Sequence, residues 1–429
     1  MNVTAVIAEY NPFHNGHLYQ LETIRKDHQA DYIIIILGGN FMQRGIPAII
    51  NKYERCRMAL LNGADLVFEL PVYFALGSAE YFAQGAVSLI DKLGVVDSLH
   101  FGSECGDISF LNICAQNTAF ESDAYKASLN NYLRQGASFP AARSNALSDL
   151  LSDPNVNHIL SAPNNILGME YIKALVQRNS PIKPLTLERK GAGYNSDFLL
   201  SDGFVSANAI RNALAGKTDN TNKMSNQTGC TSVHIKDHVP ESVYAMLKQT
   251  LLFTNDFSEI LFYKMLCLSG EKNVFANYYD IGKQLSHTLH NNLHCFTSFD
   301  DFALLCKTKN LTYSRICRGL MHILLDMTQE NANALKYSDY TQYARLLGFT
   351  DHGRELLKHI KSNASIPIIA KPSSALKNLD GTALMSLQAD IHAAVIYESI
   401  RQQKRQRQSN YSQNISLQNE LTSEIIKLP

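Results

Sequence analysis

Two histidines three residues apart give this sequence its most specific chemical signal. They lie in Asn11-Pro12-Phe13-His14-Asn15-Gly16-His17, with Gly16 between them. The apolar run Val3–Ala8 precedes the stretch, and Leu18, Leu21, Ile24 and Arg25 follow it at helical spacing. The pair therefore sits where a strand hands over to a helix. A helix start offers unpaired backbone N–H groups and a positive dipole end, which favours phosphate. Gly16 lets the backbone approach a ligand closely. Histidines at i and i+3 of a helix start can turn the same way and donate to phosphate oxygens. At an α-phosphate under attack they would stabilise the charge that develops. The matching chemistry is nucleotidyl transfer, in which a nucleophile attacks the α-phosphorus of ATP and pyrophosphate leaves. Mg²⁺ is expected on the phosphates of such a substrate. A lone pair of loop histidines is commonly plain polar surface; the glycine and the strand–helix junction argue for a site. No third ligand stands close in sequence, so no zinc site or other resident metal is expected.

The surrounding pattern supplies a scaffold for that junction. Residues 32–37 are an unbroken run of β-formers, as in a strand covered on both faces. Gly38-Gly39-Asn40 ends it. Residues 53–61 read as a helix, 65–70 as a strand, 80–93 as a helix and 98–101 as a strand. Strand–helix–strand order at this spacing implies right-handed crossovers and a parallel sheet. Ligands of such sheets collect at the carboxyl ends of the strands, so loops 8–17, 38–48 and 102–107 are expected on one rim. Residues 184–189 read as one more strand, followed by Gly191-Ala192-Gly193-Tyr194, and Ser206 is a candidate N-cap for a helix at 207–211. Residues 216–239 are rich in Asn, Thr and Ser and read as a linker. Beyond Pro240 the pattern is helical, at 242–252, 257–268, 299–307, 312–328, 340–348 and 351–362, with a Gln-, Asn- and Ser-rich tail expected to fray. The fold class is thus α/β: a Rossmann-like parallel-sheet nucleotidyltransferase domain at 1–215, the linker at 216–239, and a mainly α-helical domain at 240–429.

Composition agrees with this reading. The 429 residues carry 39 Lys+Arg against 39 Asp+Glu, and 45% are apolar, too many for disorder. Zero net charge excludes a basic coat over the whole chain but not a local basic face. Eight cysteines without a CxxC pair give no disulfide framework. No apolar run approaches a membrane span. A cytoplasmic protein with no membrane partner is expected.

The chain resembles a known family. Its HxGH segment is similar to the signature of the HIGH-motif nucleotidyltransferase superfamily. More narrowly, the chain resembles the bacterial tRNA(Met) cytidine acetate ligase family. The resemblance rests on residues 9–17, Gly39-Asn40-Phe41-Met42-Gln43-Arg44-Gly45, residues 63–71, Ala79-Glu80-Tyr81-Phe82-Ala83, Phe101-Gly102-Ser103-Glu104, Pro163-Asn164-Asn165-Ile166-Leu167-Gly168 and Ser206-Ala207-Asn208-Ala209-Ile210-Arg211. It covers the first 215 residues closely and the helical half more loosely, best at 307–325 and around 347–361. The resemblance implies activation of acetate by ATP to acetyl-adenylate, then acetyl transfer to N4 of the wobble cytidine of elongator tRNA(Met). It implies catalytic roles for His14 and His17. It implies an ATP site along Ile7, Ala8, Glu9, Tyr10, Asn11, Pro12, Phe13, His14, Asn15, Gly16, His17, Leu18, Tyr19 and Gln20, with Gly102, Asn164 and Arg189. Read as residues alone, Gly102 could serve only a turn, Asn164-Asn165 only a helix cap, and Arg189 only a solvated strand end. Arg44 could clamp triphosphate or tRNA, and Arg211 could lie near the leaving phosphates; either could be surface charge. Glu104 and Asp107 could bind Mg²⁺, although two loop carboxylates are more often solvated.

Between Phe302 and Leu325 there is no acidic residue, while Lys307, Lys309, Arg315 and Arg318 are present. Such a face suits a phosphate backbone, and an ordinary solvated face is the plain alternative. His322 is expected on the same helix face as Arg315 and Arg318. Arg354, Lys358 and Lys361 form a second basic edge, and Arg401, Lys404, Arg405 and Arg407 a third. Tyr313 and Phe349 are candidates for stacking on splayed bases. Asp280-Ile281-Gly282-Lys283-Gln284 and Asn310 depart from the family pattern, which expects a Glu-Asn-Arg-like segment and a basic residue there. A small-molecule adenylyltransferase of the same superfamily would share the first domain, and a non-catalytic RNA-binding protein would not need an intact His14-x-Gly16-His17. A helical region of this size with an acid-free basic segment separates the first alternative from the RNA-modifying reading.

Overall fold

The computed structural model describes residues 1–189, 204–216, 234–271, 273–408 and 419–429. The Gly191–Tyr194 stretch and most of the expected linker lie outside these residues. Five strands run parallel in the spatial order β5 (Leu66–Leu70), β2 (Tyr32–Gly38), β1 (Val3–Ala8), β6 (Ser98–Ser103), β7 (Lys183–Glu188). Every residue of β2 is buried, as its unbroken apolar run requires of a central strand covered on both faces. A short hairpin, β3 (Phe41–Met42) and β4 (Ile46–Pro47), projects from the end of β2. Its turn glycine, Gly45, has φ +76° and abuts the backbone of Cys317 and Arg318, where a Cβ would lie 2.2 Å from the Arg318 nitrogen. Only glycine fits both demands.

The second half is mainly helical, as expected, but departs from the expected pattern in three places. Residues 344–350 are not helical. They form β8 (Ala344–Thr350), which pairs antiparallel with β5 and extends the sheet. The run Ala344-Arg345-Leu346-Leu347 is apolar enough for either state, and a partner nearly 280 residues upstream decides it. Short β9 (Ile368–Ile369) and β10 (Ile426–Leu428) pair with β8 in parallel. The chain end is therefore not frayed over its described part, 419–429. Glu420, 2% exposed, completes a buried quartet: Lys52 reaches Glu69 at 2.7 Å and Glu420 at 2.5 Å, and Arg345 reaches Glu69 at 3.1 Å and Glu420 at 2.5 Å. Two cations and two anions cancel, which makes their burial tolerable. The end of the linker is also packed: His238 and Val239 are buried, and His238 accepts from the Asn15 N–H at 2.9 Å.

The rim loops are held from beneath by Arg55, on α2 (Lys52–Leu61). It is fully buried, and its guanidinium donates to the carbonyls of Glu9 at 2.7 Å, Gly38 at 2.9 Å, Ile50 at 3.1 Å and Gly39. One side chain thus ties the exit of β1 to the exit of β2. No cysteine among the described residues forms a disulfide. No helix among them is long and apolar enough to cross a membrane.

Candidate active site

His14 is the N-cap of α1 (Asn15–Lys26), with extended backbone at φ −139°, ψ 171°. Its Nδ1 accepts from the Gly16 N–H at 3.1 Å. The Nδ1 of His17 accepts in turn from the His14 N–H at 3.2 Å. This is a capping box built from two imidazoles. It also sets their chemistry, because a ring nitrogen that accepts a backbone N–H carries no proton. Each neutral ring must therefore hold its proton on Nε2. The rings stack with centroids 3.6 Å apart and planes 19° apart. Burial lowers the His14 pKa to about 3, helped by the positive charges of Arg189 and Arg211. Burial, then His14 and Arg189, lower that of His17 well below its ordinary value. Both are neutral donors at physiological pH.

This geometry corrects one expectation. The helix-start amides are not open to a phosphate. The Asn15 N–H is taken by His238, the Gly16 N–H by the His14 ring, and the His17 and Leu18 N–H groups by the His14 carbonyl. The donors left for an anion are imidazole edges and arginines.

Those groups line a cavity at the carboxyl ends of the parallel strands. Ile7, Ala8, Glu9, Tyr10, Asn11, His14, His17 and Gln20 make its floor, and Gly102, Asn164 and Arg189 close the β6–β7 side. Gln43, Arg44 and Ile46 close the β2 side, and Ser206 to Asn208 with Arg211 flank it. Gly102 lies under Arg189: a Cβ there would meet the Arg189 Cγ at 3.3 Å. Arg211 donates to the Asn11 carbonyl at 2.8 Å. Gly16 and Tyr19 line a smaller adjoining cavity, while Pro12, Phe13, Asn15 and Leu18 line neither. Phe13 instead packs beneath the His17 ring, at 5.5 Å, beside Tyr10. Glu104 and Asp107 do not face the cavity as metal ligands. Glu104 caps the helix Pro163–Gln177, accepting from the Asn165 N–H at 2.9 Å and from the Asn164 amide at 2.6 Å; Asp107 caps its own helix through the Phe110 N–H. No cluster of three His, Cys, Asp or Glu that could hold a metal occurs among the described residues.

The sequence profile of the HIGH Nucleotidyl Transferase family matches residues 1–412. A tRNA(Met) cytidine acetate ligase of Clostridium perfringens is 37% identical over 404 residues, covering 92% of this chain and 95% of that one. One of Caldicellulosiruptor saccharolyticus is 38% identical over 402 residues, covering 92% and 94%. The crystal structure of apo Thermotoga maritima TmcAL superposes with TM-score 0.89 at 31% identity, covering all of both chains. The same protein bound with alpha-thio ATP gives 0.86. The chain belongs to the tRNA(Met) cytidine acetate ligase family of HIGH nucleotidyl transferases.

In this ligase-family chain a second groove opens beside the cavity, sharing Gln43, Arg44, Ile46, Leu167, Asn208 and Arg211 with it. Lys307, Lys309, Tyr313 and Arg318 line its outer part. The four expected RNA contacts differ in their surroundings. Lys307 and Lys309 are exposed, whereas Arg315 and Arg318 both pair with Asp280, at 3.2 and 3.1 Å. His322 does not share a basic surface with them. It is fully buried between the carbonyls of Tyr279 and Leu76. Phe349 is buried in β8 and cannot stack on a base. Arg354 pairs with Asp351 beside the amino ends of β2 and β5, on the opposite rim. Arg401 pairs with Glu398 within the last helix, while Lys404 and Arg407 pair with Asp256 and Glu259 and fasten that helix to its neighbours.

Sequence reasoning missed Arg55, and it missed Phe82 and Tyr171, which line the cavity from core helices. The one legible sign of Arg55 was a cation among Cys56, Met58 and Ala59 on the apolar face of a helix.

Proposed function

We propose that this chain is an ATP-dependent tRNA(Met) cytidine acetate ligase. In the first step an acetate oxygen attacks the α-phosphorus of ATP. The O–P bond forms, the α–β phosphoanhydride breaks, and acetyl-adenylate and pyrophosphate result. In the second step N4 of the wobble cytidine of elongator tRNA(Met) attacks the acetyl carbon. The C–N bond forms, AMP leaves, and N4 gives up a proton. The nucleotide reading is carried by one observation: two stacked histidines, each with its proton fixed on Nε2, at the floor of a cavity flanked by Arg189 and Arg211. Neutral imidazole donors need no proton exchange as charge grows on the α-phosphate, and the arginines supply permanent positive charge. Gly102, Asn164 and Arg189 on the β6–β7 side are assigned to the nucleoside. Mg²⁺ belongs to the substrate, as the Mg–ATP complex, since the described carboxylates near the cavity serve as helix caps and loop ties.

Lys307 and Lys309, at the mouth of the shared groove, are assigned to tRNA phosphates, with Tyr313 beside them for a splayed base. Arg315 and Arg318 order this wall through Asp280 while remaining close to the RNA path. A small-molecule adenylyltransferase has no use for a basic groove that opens into its ATP cavity. ATP and tRNA place the reaction in the cytoplasm. ATP–pyrophosphate exchange in the absence of RNA tests the assignment. Exchange should require acetate, and exchange indifferent to acetate would end it.

A further inference from the structure

Asn11 holds a donor that has nothing to donate to. Its side chain is 3% exposed, and its Oδ1 accepts from the Ile49 N–H at 2.9 Å. A backbone N–H must meet the oxygen, so the amide's orientation is fixed. Its Nδ2 has no hydrogen-bond partner, and neither does the buried hydroxyl of neighbouring Tyr10. An unsatisfied buried donor carries a free-energy cost. Both residues line the cavity, so a ligand acceptor can recover that cost.

The position of Asn11 indicates which ligand. Strand β1 is central, with β6 and β7 on one flank and β2 on the other. Gly102 and Arg189 lie on the first flank. Asn11 is tied to the second, through Ile49 after the β3–β4 hairpin, and its carbonyl takes Arg211. The shared groove with Lys307 and Lys309 opens on that same flank through Arg44 and Ile46. A molecule that attacks the α-phosphate and is then passed to RNA must sit between nucleotide and groove.

We propose that Asn11 Nδ2 holds the acetate carboxylate. This rests on the ligase reading above. One carboxylate oxygen accepts from Nδ2, and the other is left free to attack phosphorus. A neutral amide orients the carboxylate without quenching its nucleophilicity as a guanidinium paired to it would.

Asn11→Asp keeps the oxygen that receives the Ile49 N–H and replaces the donor by an acceptor. In acetate-dependent ATP–pyrophosphate exchange it should raise the KM for acetate at least ~10-fold, the effect of losing a hydrogen bond to a charged group, with the KM for ATP little changed. An unchanged KM for acetate, or equal rises in both, overturns the proposal. Exchange by the unmodified protein that ignores acetate would instead overturn the ligase reading. Should the variant fail to fold, a crystal of the unmodified protein with acetyl-sulfamoyl adenosine decides. An acyl oxygen within about 3.2 Å of Nδ2 upholds the assignment, and one beyond hydrogen-bond reach refutes it.

Discussion

His17 does two jobs through two nitrogens, and two substitutions separate them. Its Nδ1 accepts from the His14 N–H at 3.2 Å and so closes the capping box. Its Nε2 carries the proton offered to phosphate. Asparagine places its oxygen near the position of Nδ1 and has no atom near that of Nε2. Glutamine does the reverse. His17→Asn should therefore keep the cap and lose the donor. Removal of one positioned donor to transition-state charge costs about 10²–10³ in rate. Acetate-dependent exchange should fall by that factor, with the thermal midpoint close to the parent value. His17→Gln should retain the larger part of the exchange rate and lose the cap, worth about 1 kcal/mol. In a chain of this length that shifts the midpoint by no more than about 2–4 °C. The measurements are initial exchange rates at saturating ATP and acetate, with melting followed by circular dichroism. If His17→Asn exchanges at the parent rate, the Nε2 role is wrong. If the two variants lose rate and stability in parallel, the division between the nitrogens is wrong.

Three further outcomes follow from the structure. Burial pushes the pKa values of His14 and His100 down to about 3 and that of His322 to about 4, from 6.5. The unfolded chain therefore binds more protons below 6.5, so this stability is complete above 6.5 and is lost as pH falls toward those values, by roughly 4 kcal/mol for the three at pH 5.5; a urea midpoint equal at pH 7.5 and 5.5 would contradict it. Lys307→Glu with Lys309→Glu should leave acetate-dependent exchange intact and weaken tRNA transfer, lowering the slope of log affinity against log salt by roughly 1.4. Arg315→Glu with Arg318→Glu also weakens transfer but destabilises the wall by facing Asp280, so a lower melting midpoint in the second pair and not the first checks the distinction. Glu420 is held down to about 2 against its burial by Lys52 and Arg345, and Glu420→Gln should cost about 3–5 kcal/mol by leaving a buried cation unmatched, read as a fall in the denaturant midpoint.

What could be read from the sequence was local. The strand–turn–helix containing His14, Gly16 and His17 occupies one continuous stretch, and its residue types have few other uses. The parallel strands were legible because runs such as Ile33 to Leu37 exclude the alternation of a half-exposed strand. The rest depended on distant partners. Ala344–Thr350 is a strand because β5 accepts it, and nothing within seven residues says so. Arg318 and His322 were grouped as one basic face from helical spacing, which carries no information about Asp280 or about the carbonyls of Tyr279 and Leu76. The amide cradle expected at the start of α1 failed for the same reason, because His238 reaches it from 223 residues downstream.

The loss of that cradle sharpens the chemistry. An open helix start would offer fixed partial charge to any anion, including product pyrophosphate. Here the backbone donors are spent on the fold, and the histidines that spend them become ordered and neutral. Their protons face the ligand because their other nitrogens face the backbone. A charged imidazolium pair 3.6 Å apart would repel, and it would bind the triphosphate before and after reaction alike. Two neutral donors gain most when charge on the α-phosphate peaks, which is the difference that accelerates a reaction. Burial keeps both histidines unprotonated, with Arg189 adding to the effect at both and Arg211 at His14. The cations that attract the nucleotide thus also reinforce the neutrality of the groups that act on it, so a charge-removing change at either arginine should alter the acid limb of the exchange-rate profile as well as the affinity for ATP.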